Sequence, residues 1–513
     1  MPSRISRTKR AIQNSRMSLV LFLVQVFIGF YSRKIFLDYL GSEVLGLNTT
    51  LGNILSFMNL AELGIGIAMA TSLYKPIHDE DNDTISEIIT VQGILYRRIA
   101  IFLCVIGIIV LCILALIFPN TECGLAYIYV SFLVFLSGSL FSYIWNYKQI
   151  LIGADQKNYK LLPWIHCVRY TKIGLQILFL TTLRGGIWAW IILEFMGSVA
   201  NTIIINWVVK KEYPWLYYIK NKEKILIKKY HFLITKTKQL FIHKLSFFVL
   251  EQTAPLIIYG FVSLNMVTYY CNYMILLGYA VTMIRVFFDS MGASIGNLVS
   301  ENNKRHTLEV FWELFTSRIW IASVACFGLY LFVHPFIMFW LGKEYLLSDT
   351  TLSLMIIGIF IKMSRGVVDS FRDAYQLFGD VWAPAIEAIT NLGFSILLGY
   401  LWGLNGILVG SNISLFLIVV FWRPYYLFKN GLKDSCVKYY RKYIFHISTI
   451  LICGYASYQI TNFFIPSNLY KQIICYSMCL IIYATCTFAI FFFFTNGMKS
   501  FTKRIHKIIF KQI

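Results

Sequence analysis

The chain has 513 residues, 58% hydrophobic and only 14% charged, where soluble globular proteins carry about 25% charged residues. With a mean hydropathy of +0.65, this composition excludes a soluble protein and points to the membrane. The net charge of +21 is spread along the chain as a topology signal, which argues against a nucleic-acid partner.

Runs of about 20 apolar residues recur 14 times. They cover 18–40, 45–73, 97–118, 125–151, 161–182, 186–209, 245–263, 267–295, 314–336, 350–372, 383–402, 405–424, 443–463 and 470–494. The runs lack the alternation of a membrane β-barrel, and a spanning backbone must satisfy its own hydrogen bonds, so the expected fold is all-α. With the N-terminus inside, all but ten of the 46 Lys and Arg residues fall in the tails, inner loops or inner helix ends. That asymmetry supports an even number of spans and cytoplasmic termini.

In chain order, the basic start MPSRISRTKR leads into an apolar run that reaches Arg33 and Lys34 without a small-x-small cleavage site. It is expected to be an uncleaved first helix. The second run carries Glu62 in ELGIG, whose glycines suit close helix packing or a hinge. Asp79–Asp83, DEDND, is the one DxD-like stretch, and it reads as a solvated inner loop. The fifth run carries Arg169 and Lys172, suited to pairing or to a cavity wall, and the sixth carries Glu194, suited to pairing or to H⁺ or Na⁺ coupling.

The longest polar gap, 210–244, holds ten lysines. Within it Leu226, Tyr230, Leu233, Thr237 and Phe241 form a helical stripe, expected to lie on anionic headgroups as an interfacial helix. The gap divides the chain into an N-lobe at 1–209, a linker at 210–244, a C-lobe at 245–424 and two further helices with a basic tail at 425–513.

Beyond the linker, Glu251 has Pro255 one turn later. A proline there frees a carbonyl, giving either a fixed kink or a bend during transport. Arg285 and Asp289 are i, i+4 partners in the eighth run, ahead of Gly292 and Gly296. The tenth run carries the clearest signal: Lys362, Arg365, Asp369 and Arg372 at i, i+3, i+7 and i+10 share one helix face. At 1.5 Å per residue Lys362 lies about 18 Å from the outer end of that run. A charge in hydrocarbon costs a few kcal/mol, so this stripe must face protein or water. Glu387 lies in the eleventh run. The 11 cysteines form no CxxC and the eight histidines are scattered, so no metal site is expected.

Residues 33–76, RKIFLDYLGSEVLGLNTTLGNILSFMNLAELGIGIAMATSLYKP, resemble the N-terminal signature of bacterial polysaccharide flippases. So do 365–397, RGVVDSFRDAYQLFGDVWAPAIEAITNLGFSIL, then 403–411, GLNGILVGS, and the pair Arg423–Pro424. One departure is QLFG at 376–379, where a glycine is expected before the Leu-Phe pair. These flippases belong to the multidrug/oligosaccharidyl-lipid/polysaccharide exporter superfamily. The resemblance implies two six-helix lobes around a central cavity plus two trailing helices. It also implies transfer of an undecaprenyl-diphosphate-linked oligosaccharide across the cytoplasmic membrane for surface-polysaccharide assembly, beside other assembly proteins of that membrane.

Such a cargo has an apolar tail that stays in lipid and a diphosphate that needs cations, for which the arginine fork is suited. Lys362, Arg365, Arg372, Arg285 and Arg33 are therefore the candidate diphosphate ligands. Ion pairing within Arg365–Asp369 and Arg285–Asp289 is the plain alternative, as is snorkelling of Arg33 to headgroups. Glu251, Asp289, Asp369 and Glu62 are candidates for H⁺ or Na⁺ coupling or for ion pairing; no other cofactor is expected. The rival readings are a cation-coupled small-molecule exporter of the same superfamily, a membrane polymerase or glycosyltransferase, and a passive scaffold. Acids should dominate an exporter's cavity, and no gap is large enough for a catalytic domain.

Overall fold

The computed structural model describes residues 7–510 apart from 63–64, 120, 122, 220–222, 232–244, 246–247, 251, 290–294, 297, 300, 302, 378, 381 and 464–468. Every regular element among them is helical. The chain forms two compact units: the first is Met1–Tyr259 with Ser263–Thr268, and the second is Gly260–Val262 with Tyr269–Ile513. The stretch 245–259, placed with the C-lobe from sequence, thus belongs to the first unit, and the C-terminal helices belong to the second.

In the first unit, α1 (Arg7–Met58) bends at Gly41, whose φ of 83° is open to glycine at little cost. Gly46, one turn on, sits against the backbone of Leu264 with no room for a Cβ. The apolar run at 45–73 is not one helix. It ends α1 at Met58, passes through a 3₁₀ turn at Asn59–Glu62 and resumes as α2 (Ile65–Asp79). Then α3 (Asn82–Ile117) starts at a cap, where the Asp81 carboxylate accepts from Thr84 N and Oγ1 at 2.9 and 2.6 Å. Those two bonds hold the Asp81 carboxyl below its usual range.

The rest of the unit is α4 (Leu125–Ile144), α5 (Gln149–Ala154), α6 (Asn158–Thr181), α7 (Gly186–Glu212) and the short α8 (Glu223–Lys229). Its core is Leu47, Leu51, Val91, Leu103, Ile128, Phe132 and Ile191. On its outer side α3 leaves Ile101, Phe102, Val105, Ile108, Ile109 and Leu116 at least half exposed. Such a continuous apolar belt suits lipid and not water.

Of the stripe expected in the lysine-rich gap, the described part is α8 and the turn after it, with Lys224, Lys228 and Lys229 exposed. Leu226 and Tyr230 are buried in the first unit's core, and Tyr230 Oη donates to Glu87 Oε2 at 2.6 Å. The first turns of α3 bury Ile85, Ile88 and Ile89 in the same core, and Glu87 between them accepts from the Tyr230 hydroxyl. Leu233, Thr237 and Phe241 lie outside the described residues.

The second unit contains most of α9 (Leu264–Asp289), then α10 (Lys304–Trp340), α11 (Asp349–Ser364) and α12 (Gly366–Ala374). Next comes α13 (Trp382–Leu415), folded back on itself at Trp402–Gly403, where Gly403 takes φ 56° and ψ −134°. Two π-helical stretches, Phe416–Trp422 and Phe428–Leu432, flank the single turn and a half of α14 (Arg423–Leu427). The chain ends in α15 (Cys436–Phe463), α16 (Leu469–Phe494) and α17 (Asn496–Phe510). These are tied to α10 by several contacts. Trp320 Nε1 donates to Ala484 O at 3.2 Å, Lys442 lies over the Trp312 ring at 3.7 Å, and Arg504 pairs with buried Glu313 at 2.7 Å.

Among the described residues, seven helical segments are long and apolar enough to cross a membrane. One of them, Trp382–Leu432, contains both arms of the α13 hairpin and so covers two of the runs read from sequence.

Candidate functional site

The charged stripe spans the joint of α11 and α12, where Arg365 keeps helical dihedrals of φ −63° and ψ −24°. Lys362 is in the last turn of α11, Arg365 occupies the joint, and Asp369 and Arg372 are on α12. The opposite face of α12 buries Val367, Val368 and Phe371 against Phe311, Leu427 and Phe428. That apolar packing turns Arg365, Asp369 and Arg372 to the remaining side.

There the charges are paired. Arg365 Nε is 3.1 Å from Asp369 Oδ2, the i, i+4 contact that the sequence offered as the plain alternative. Arg423 Nη1 reaches Asp369 Oδ1 at 2.9 Å, and its Nη2 reaches Glu387 Oε2 at 3.0 Å. Arg372 Nη2 lies 3.4 Å from Asp380 Oδ1, whose other oxygen accepts from Trp422 Nε1 at 3.2 Å. One continuous chain therefore runs Arg365–Asp369–Arg423–Glu387, with Arg372–Asp380 beside it.

Arg423, Asp380 and Arg318 were not among the site residues read from sequence. Arg423 had a signal in its Arg-Pro pair, but nothing local shows that it returns to an aspartate 54 residues earlier. Arg318 lies on α10 and is buried; its Nε donates to Met363 O at 2.7 Å. Its guanidinium fills the space at Gly366, where a Cβ would come within 2.6 Å of Nη1. The Arg-Gly pair at 365–366 is thus explained: the glycine admits a third helix's arginine.

The departure at QLFG also has a local meaning. Gln376 takes φ 53°, the left-handed region that favours glycine, as the chain leaves α12. The turn is closed by Leu377 N donating to Arg372 O at 3.0 Å and by Arg372 Nε donating to Leu377 O at 3.2 Å. Arg372 is therefore fixed to the turn as well as to Asp380.

Among the described residues Arg318 lies beside this network at Gly366, and Lys362 precedes Arg365 by one turn. Exposure separates its members. The side chains of Arg365 and Asp369 keep 29% and 27%, against 13% for Arg372 and Arg423. Arg365–Asp369 is thus the most exposed of these ion pairs.

The other candidates are distributed elsewhere. Arg33 sits on α1 of the first unit. Glu251 lies outside the described residues, as do the side chains of Arg285 and Asp289. Glu194 on α7 pairs with Lys172 on α6 at 2.6 Å and accepts from Gln176 Nε2 at 3.1 Å. Glu62 accepts from Tyr96 Oη at 2.6 Å and from Tyr143 Oη at 3.2 Å. No cluster of three metal-ligating side chains occurs among the described residues.

Comparison with family models and with curated proteins gives no match. Solved structures do match. A structure described as the lipid II flippase MurJ in an inward closed conformation aligns over 92% of this chain and 98% of its own, with a TM-score of 0.63 and 14% identity. An inward-facing multidrug resistance MATE family transporter of the MOP superfamily aligns over 80% of this chain and 96% of its own, with a TM-score of 0.60 and 13% identity. A mutant of the Vibrio cholerae MATE transporter VcmN covers 83% and 98%, with a TM-score of 0.50 and 14% identity. This chain is a multi-pass, all-helical membrane protein with the fold these transporters share.

Proposed function

We propose that this chain is a flippase that moves an undecaprenyl-diphosphate-linked oligosaccharide from the cytoplasmic to the outer leaflet of the cytoplasmic membrane by alternating access. Both termini lie in the cytoplasm, and the product feeds surface-polysaccharide assembly. The observation that carries the reading is the arginine-rich cluster on α12 and α14 inside a helical membrane unit. A likeness over 92% of the chain to a protein described as a lipid-linked flippase supports it.

Arginine and phosphate pair in a bidentate fork, so a diphosphate replaces a carboxylate at Arg365 without leaving the guanidinium bare. Arg365–Asp369 is the most exposed pair of the network and shares Asp369 with Arg423. Displacing Asp369 from Arg365 leaves it held by Arg423, so the exchange strands no charge. The glycan remains in water and the polyprenyl chain in lipid throughout.

A thermal-shift series on the purified chain tests the ligand class. Undecaprenyl diphosphate at saturating concentration is expected to raise the unfolding midpoint, since a ligand at 100 times its Kd stabilises by about 2.7 kcal/mol. Arg365→Ala is expected to abolish at least half of that shift. Stabilisation by a cationic drug and none by the diphosphate would instead favour a small-molecule exporter of this fold.

A further inference from the structure

Residues 496–513, at the end of the second unit, hold five Lys and Arg residues and no Asp or Glu. They follow the spanning helix α16 after a single residue, Thr495, whose Oγ1 caps α17 by accepting from Met498 N at 3.4 Å. The last residues of α16, Phe493 and Phe494, are 69% and 74% exposed, which suits lipid and not water. A basic helix joined so closely to a lipid-facing end is held at the membrane surface.

One face of α17 is docked on protein. Gly497 lies against the Trp312 carbonyl of α10 with no room for a Cβ, Met498 is fully buried, and Phe501 packs on the same core. Arg504 adds a two-pronged pair with buried Glu313, Nε to Oε1 at 2.7 Å and Nη2 to Oε2 at 3.0 Å. Met498, Phe501 and Ile505 recur at i, i+3 and i+7, so they share one face. The first two are covered, but Ile505 is exposed. The protein therefore stops covering the apolar stripe while the helix continues to Phe510.

The charge beside this stripe is in surplus. The Trp312 carbonyl meets Gly497, and the Trp312 ring carries Lys442 of α15 at 3.7 Å. The starts of α15 and α17 thus flank one stretch of α10. The acids there are taken: Glu309 by Arg305 at 3.2 Å, Asp434 by Lys438 at 2.9 Å and Glu313 by Arg504. Arg441, Lys499 and Lys503 have no acidic partner among the described residues.

Bare cations around an exposed isoleucine at a membrane edge match both parts of an anionic phospholipid. The headgroup phosphate meets the cations and the acyl boundary meets the isoleucine. A soluble acidic partner matches the charge alone. We propose that α17, with the adjoining start of α15, is a docking surface for anionic phospholipids, on which Ile505 is seated at the acyl boundary and the Arg504–Glu313 pair ties the helix to α10. The surface is independent of the cargo the chain carries.

Hydrogen exchange of the full chain in nanodiscs tests it, with one set made of phosphatidylcholine alone and the other containing phosphatidylglycerol. Exchange at 499–510 is expected to be slower in the anionic discs by about fivefold or more, the effect of roughly one cation beside such a surface. The difference should shrink at high salt, which screens exposed charge. Lys499→Gln combined with Lys503→Gln is expected to remove most of it, with exchange in α10 unchanged because these side chains do not support the fold. Ile505→Ser is also expected to reduce it. Equal exchange in the two discs would leave this face to a protein partner and overturn the proposal, as would a difference undiminished in either variant.

Discussion

Arg423→Ala is expected to lower the unfolding free energy of the second unit by about 3–5 kcal/mol, the range for removing one partner of a buried ion pair. Arg423 is the only cation bonded to Glu387 among the described residues, and the Glu387 side chain keeps 1% exposure. It also supplies one of the two guanidiniums on Asp369. Without it Glu387 becomes an unpaired buried carboxylate, and Asp369 is left to Arg365 alone. The loss should come mainly from the stranded charge and less from the lost attraction. Glu387→Gln in the Arg423→Ala background is therefore expected to recover a large part of the stability, although two native bonds are then missing. Thermal unfolding of the four proteins of this double-mutant cycle measures the coupling. Additive losses would show that the two residues do not act as a pair.

Gly406→Val is expected to do comparable damage by a different route. The arms of α13 pack backbone to backbone: a Cβ on Gly406 would collide with the Leu398 carbonyl, and one on Gly410 would lie 2.7 Å from Phe394 O. These atoms cannot yield as a flexible side-chain end can, so the arms must splay. Overpacking costs about 1–3 kcal/mol, and more where backbone must move. Splaying also breaks the polar contacts between the arms, where Ser395 Oγ donates to Ile407 O at 3.1 Å and Asn391 Nδ2 to Ser411 Oγ at 3.1 Å. The same hairpin brings Glu387 on its first arm to Arg423 beyond its second. Hydrogen exchange should show faster opening in 387–423 with protection in the first unit unchanged. Unchanged exchange at 387–423 would contradict the packing account.

Much of this architecture was legible because glycine and charge leave local marks. The break between the first two runs falls at Gly41, and the turn between 383–402 and 405–424 falls at Gly403. In both places a positive φ needs what only glycine supplies cheaply. The Arg365–Asp369 contact followed from helical spacing alone. The interruption at Asn59–Glu62 was hidden because apolar residues continue through it, and an apolar run looks alike whether helical throughout or broken. The partners of Asp369 and Arg372 were hidden for another reason: Arg423 and Asp380 come from other turns of the chain, so no spacing rule reaches them. Leu226 and Tyr230 of the lysine-rich gap are buried in the first unit, a contact that periodicity does not specify, since protein and lipid accept the same apolar face.

Leaflet transfer measures flipping directly. The purified chain would be reconstituted into liposomes with a labelled undecaprenyl-diphosphate oligosaccharide, and label exposure and glycan length followed over time. Transfer between leaflets at unchanged length is expected, with loss of transfer in Arg365→Ala. No transfer of any diphosphate-linked donor, or a glycan that lengthens, would contradict flipping.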